Sequence, residues 1–135
     1  MSRIRLDGAR CIYCGELANQ DEHFPPATYS AGGFILPCCG ECNVFAGTQH
    51  PVDFWARADF VRSKIRKKYR LELTRPDWDE NEIKELGPNL RKVIRVWQKQ
   101  KKIAKERLAW DVEGYLSSID QATVFAQTLA EVERL

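Results

Sequence analysis

Cys11-Ile12-Tyr13-Cys14 and Cys39-Gly40-Glu41-Cys42-Asn43 decide the reading of this chain. Each Cys-x-x-Cys turn presents two sulfurs on one side of a tight knuckle, and two such turns supply the four thiolates that close a tetrahedron around Zn²⁺. Gly15 after the first knuckle and Gly40 inside the second give the backbone the freedom such turns need. A fifth cysteine, Cys38, leaves Cys38-x-x-x-Cys42 open as an alternative pair. The spacing of Cys39 and Cys42 matches the first pair, so Cys39 is the preferred ligand. A four-cysteine zinc site is closed and does no chemistry itself. It holds the 24-residue insert between its halves, and function has to come from what that insert displays.

Size and composition set the frame around these knuckles. A chain of 135 residues is one domain's worth, expected to span 1–135, with a zinc-bound unit over 1–50 and a helical extension over 51–135. The first 50 residues cannot bury enough apolar surface to fold without a staple. No apolar stretch follows Met1-Ser-Arg, so a secretory signal is not expected and a reducing, cytoplasmic setting is. Five cysteines is an odd number, which also favours metal ligation over a disulfide framework. The longest apolar run is too short to cross a bilayer, so no membrane partner is expected.

Beyond the knuckles the pattern changes at about residue 52. Before it lie most of the glycines; Gly32-Gly33 followed by Phe34-Ile35-Leu36 reads as a turn feeding a short buried strand, and 40–47 as the first turns of a helix. After it, Phe54, Ala58, Val61, Ile65 and Tyr69 recur at helical spacing until Thr74-Arg75-Pro76 stops them. Asp79-x-x-Glu82 forms a capping box for a short helix that ends at Gly87-Pro88. Leu90, Val93, Ile94, Trp97, Ala104 and Leu108 then form the apolar face of a longer helix. Ser118-x-x-Gln121 caps a last one that would bury Ala122, Phe125, Ala126, Leu129 and Val132. The fold class is therefore α+β.

Charge is segregated along these helices. The net charge is only +2, yet residues 62–70 and 91–107 hold 14 of the 21 Lys and Arg side chains and a single acid, Glu106. Arg62, Lys64, Arg66, Lys67, Lys68 and Arg70 form the first cluster; Arg91, Arg95, Lys99 and Lys102 stand out in the second. Such surfaces attract phosphate backbones with little sequence preference, so DNA is the expected partner. A protein partner is left unspecified.

The insert carries His23, one of two histidines, preceded by Asp21-Glu22 and followed by Phe24-Pro25-Pro26. A histidine is the side chain best suited to take a proton from water at neutral pH. A neighbouring carboxylate and an amide oxygen suit an oxygen-preferring ion such as Mg²⁺. The order Cys-x-x-Cys, acid-His-x-x-Pro, Gly-Gly, Cys-x-x-Cys-Asn resembles the HNH endonucleases of the ββα-metal type over about residues 8–50. That resemblance implies a zinc-stapled hairpin followed by a helix, and hydrolysis of phosphodiester bonds, double-stranded DNA being the expected substrate. It implies His23 as general base, with Glu22 and Asn43 as ligands of a catalytic Mg²⁺ or Mn²⁺. Glu22 stands where the family more often has aspartate, Ile35-Leu36 replaces a common asparagine-leucine pair, and Val44 follows Asn43 where a lysine is usual. His50 is either a further metal or phosphate contact or a plain surface residue. Two other readings remain on the same scaffold: a zinc-dependent DNA-binding protein without catalysis, and a protein-interaction adaptor. A nucleobase deaminase is excluded, because the acid precedes the histidine and a second knuckle would have no use there.

Overall fold

The computed structural model describes residues 4–25, 33–47 and 53–119. Three strands, β1 (Ile4–Arg5), β2 (Gln20–Phe24) and β3 (Phe34–Cys38), form one sheet in the order β1-β3-β2. The β2–β3 pair is antiparallel, running from Gln20 opposite Cys38 to Phe24 opposite Phe34. β1 adds two parallel pairs, Ile4 with Phe34 and Arg5 with Ile35. Pro37 is tolerated in the central strand because β1 has already ended there. On that side its carbonyl takes the Ile12 N–H at 2.9 Å, and no ladder bond needs the N–H that proline lacks.

Six helices follow among the described residues: α1 (Gly40–Ala46), α2 (Phe54–Lys68), α3 (Arg70–Thr74), α4 (Glu80–Lys84), α5 (Pro88–Leu108) and α6 (Val112–Ser117). The α+β class expected from the pattern is what the chain adopts. α1 ends at Gly47, whose φ of 55° lies in the left-handed region where a side chain is strained. Gly40, expected to relax the second knuckle, is instead the first residue of α1 and has no positive φ. Asp53 caps α2 by accepting the Ala56 N–H at 2.7 Å. The Asp79–Glu82 capping box closes on α4, and Gly87-Pro88 opens α5 with proline in its first turn.

One core cluster runs from Leu6 to Ile119. Phe54 is at its centre, stacked on Tyr13 of the first knuckle and edge-on to Phe24 of β2. The expected stripe on α2 is inside: Phe54, Ala58, Val61 and Ile65 are buried, with Tyr69 packed partly against them.

Three expectations fail. The helix read through to Thr74 breaks at Tyr69, so α3 is a separate turn. On α5, Ile94 and Ala104 are buried, but Leu90 (58 %), Val93 (41 %) and Trp97 (38 %) stay exposed. α3 and α4 are only five residues each and cannot cover a face that wide; Trp97 is covered by the Arg75 guanidinium, 4.5 Å from its ring centroid. Ser118, read as an N-cap, is the C-cap of α6. Gln121 and the apolar face from Ala122 to Val132 lie outside the described residues, as does His50. No helix among the described residues is long and apolar enough to cross a membrane.

Candidate metal centre and active site

The two knuckles meet because β3 serves both. Ile12 N–H binds the Pro37 carbonyl and Asn19 N–H binds the Cys38 carbonyl, which docks the Cys11–Cys14 turn beside the end of β3. Cys39 follows as the N-cap of α1, its sulfur accepting the Cys42 N–H at 3.4 Å. The result is a buried cluster of Cys11, Cys14, Cys39 and Cys42 whose sulfurs all lie within 4.8 Å of one another. A tetrahedron of thiolates around zinc has edges of about 3.8 Å; Cys14 and Cys39 stand 3.7 Å apart. The donor set and its size fit a metal ion such as zinc. Cys38 is outside the cluster, buried beside it with its sulfur 3.9 Å from that of Cys11. None of the five thiols forms a disulfide.

Gly15, at φ 80°, closes the first knuckle. A Cβ there would collide with the Trp110 indole. The chain beyond α5 thus covers a turn made at its start, and the Tyr115 hydroxyl accepts the Arg10 N–H at 3.0 Å on the same side.

Glu41, inside the second knuckle, ties the centre to the long helices. Its carboxylate accepts from Tyr69 Oη at 2.7 and 2.9 Å, from Lys68 and from Arg107. Arg107 Nη2 also points at Cys42 Sγ, 3.5 Å away. Burial works to raise the Glu41 pKa, but Lys68, Arg107 and Tyr69 outweigh it and leave it below the usual value. A carboxyl depressed in this way adds stability above its unfolded pKa, which is lost as pH falls through its folded pKa. Glu41→Gln is expected to cost on the order of 1–2 kcal/mol near neutrality. Its stability should then change less than that of the wild type on acidification below the ordinary carboxylate range, as read by urea denaturation.

The residues expected to do chemistry are distributed by the strand's alternation. Along β2, Glu22 and Phe24 are buried while Asp21 and His23 are exposed. Glu22 faces the helices. Its Oε1 accepts from Arg57 Nη2 at 2.7 Å, the two side chains being 3 % and 0 % exposed, and the same nitrogen donates to the Gly47 carbonyl at 3.0 Å. Burial raises the Glu22 pKa and the Arg57 charge only partly offsets it. Its other oxygen, Oε2, has no hydrogen-bond partner among the described residues. Tyr13 lies fully buried in the same environment; burial, then the Glu22 charge, push its phenol pKa well up. Asn43 on α1 donates to Gln20 Oε1 at 2.8 Å, two residues along β2 from Glu22 and on the same face. His23 is on the opposite face, open to solvent. It is next to Asp21, whose carboxylate is held by Arg5 at 2.8 and 3.1 Å. Glu22 and Asn43 therefore share a side of β2, and His23 does not share it with them.

Of the basic residues, several are engaged within the molecule. Arg62 donates to the Trp110 carbonyl, Lys68 to Glu41, Arg91 to the Leu86 carbonyl and Arg95 to Glu80. Lys64 lies over the Phe60 ring, and Lys102 stands 4.0 Å from Glu106. Arg66, Lys67, Arg70 and Lys99 are exposed on α2, α3 and α5.

Arg57 and Arg107 were missed as site residues, and both carried a signal. Arg57 sits three residues after Phe54 and four before Val61, inside the apolar stripe of α2; Arg107 follows Ala104 on α5 at the same spacing. A charge on a buried stripe calls for a buried partner. Compared with family models, curated proteins and solved structures, the chain matches none, so its own residues carry the functional reading.

Proposed function

We propose that this chain is a zinc-stapled, metal-dependent endonuclease of the HNH type, hydrolysing phosphodiester bonds in nucleic acid, double-stranded DNA first. The observation that supports it is the four-cysteine cluster clamping the antiparallel β2–β3 pair to α1, a ββα arrangement with His23 open to solvent on β2. His23 takes the proton of a water whose oxygen bonds to phosphorus as the bridging ester oxygen leaves. Glu22 and Asn43 would hold Mg²⁺ or Mn²⁺, which would supply charge stabilisation at the phosphate. This requires Glu22 to exchange Arg57 for the ion, and the ion to come within reach of His23, which lies on the opposite face of β2. Arg66, Lys67, Arg70, Lys99 and Lys102 meet the backbone, with Lys102 and Lys105 beside Asp77 and Glu106 in a groove along α5.

The closed Glu22–Arg57 pair favours a second reading, a zinc-dependent DNA-binding protein that kept the scaffold without hydrolysis. A plasmid-nicking assay with Mg²⁺ or Mn²⁺ separates the two. The endonuclease reading expects nicking by wild-type protein and a loss of about 10²–10⁴-fold in His23→Ala. Salt-dependent DNA binding with no nicking under any divalent ion selects the second reading. Neither binding nor nicking leaves the adaptor.

A further inference from the structure

We propose that Arg107 is the counter-charge of the four-cysteine centre, and that through it metal occupancy sets the placement of the C-terminal end of α5. Four thiolates around a divalent ion leave two negative charges, here in a site where Cys11, Cys14, Cys39 and Cys42 are 0 %, 2 %, 9 % and 0 % exposed. Buried charge of that size needs donors aimed at the sulfurs. One is the Cys42 N–H on Cys39 Sγ, part of the turn itself. The cation that the hydrogen bonds place on a ligand sulfur is Arg107, through Nη2 to Cys42 Sγ. It comes from 65 residues further along the chain.

The surroundings of Arg107 hold it to that task. It is 6 % exposed. Nη1 is held by Glu41, one residue before Cys42, and its guanidinium carbon lies 5.5 Å from the Tyr69 ring centroid. A planar guanidinium presents separate nitrogens in a fixed fork to a carboxylate and a sulfur on the same helix turn, where an ammonium offers only a single point charge. Ala104, one turn earlier on α5, is packed at 2 % exposure, and Trp110, just past the helix, lies against Gly15 of the first knuckle, so the end of α5 that carries Arg107 is held close to the centre. Occupancy of the centre and position of the α5 end are then two readouts of one contact, and linkage makes the dependence reciprocal.

Arg107 is a positioning residue, and the role differs from a plain ion pair with Glu41. The inference rests on zinc filling the centre and is independent of the hydrolytic reading. The experiment uses the full chain in two measurements. In the first, zinc is competed away by a chromophoric chelator from wild type, Arg107→Gln, Arg107→Lys and Glu41→Gln. Loss of an outer partner typically weakens metal affinity by about 10–100-fold. That is the drop expected for Arg107→Gln, with Arg107→Lys recovering part of it and Glu41→Gln, which leaves a cation beside Cys42, affected less. Zinc held equally by Arg107→Gln and wild type overturns the proposal, as does an equal loss in Arg107→Gln and Glu41→Gln. The second measurement keeps the centre loaded: amide exchange of zinc-saturated wild type and zinc-saturated Arg107→Gln. Faster exchange over 104–110 than over 54–65 in Arg107→Gln is expected. Uniform change, no change, or a wild-type chain that takes up no zinc overturns it.

Discussion

Stripping the metal from the four-cysteine centre is expected to unfold residues 4–25 and 33–47 and to abolish a cooperative thermal transition in that part. The sheet has one five-pair ladder and one two-pair ladder, too little to hold the Cys11–Cys14 turn and α1 in place alone. Structural zinc contributes on the order of 10 kcal/mol or more of apparent binding free energy. A domain of this kind nets only about 5–15 kcal/mol. Metal loss therefore exceeds what the remaining contacts can absorb. Cys39→Ala removes a ligand and also the side chain that caps α1, so metal content should fall from near one zinc per chain toward none. Cys38→Ala, outside the cluster, should keep its metal and lose about 1–2 kcal/mol for the emptied space. Elemental analysis with thermal melts reads both. Full metal content in Cys39→Ala, or its loss in Cys38→Ala, would mean the ligand set is wrong.

The second large effect is expected at the Glu22–Arg57 pair. Arg57→Met leaves a buried carboxylate without its cation and should cost about 3–5 kcal/mol. The double variant Glu22→Gln/Arg57→Met should cost clearly less than the single change, because no buried charge remains. The pH dependence has a defined sign. Burial already holds the Glu22 pKa above its ordinary value, and removing Arg57 removes the opposing influence. A carboxyl raised on folding contributes most below its unfolded pKa and loses that contribution as pH rises through its folded pKa. The deficit of Arg57→Met should therefore shrink on acidification. Urea midpoints for the four species of the cycle, taken at two pH values, measure it. A double variant as unstable as Arg57→Met alone would show that Arg57 is held by packing rather than by Glu22.

How much could be read in advance depended on whether the signal was local. The knuckle spacing, the Phe54–Ile65 stripe and the Asp79–Glu82 box are set within a few residues, and all three are where the spacing put them. The four cysteines that converge are the four chosen by spacing. What failed was non-local. Whether Leu90, Val93 and Trp97 are covered depends on the length of α3 and α4, which no periodicity on α5 can report. Tyr69, where the helix breaks, places its hydroxyl on Glu41, 28 residues earlier. The candidate site divided the same way. His23 and Glu22 were identifiable as neighbours in sequence, yet strand alternation sends neighbours to opposite faces. The partners that decide Glu22 and Cys42, Arg57 and Arg107, are 35 and 65 residues away.

The cover that Trp110 gives Gly15 has a consequence in time. During synthesis all four ligand cysteines are present once residue 42 has emerged, whereas Arg107, Trp110 and Tyr115 are made more than sixty residues later. Until then the nascent centre has its sulfurs but neither its cation nor its indole lid. The four-cysteine centre, with the side chains that cover it, is therefore among the last parts of the molecule to be completed.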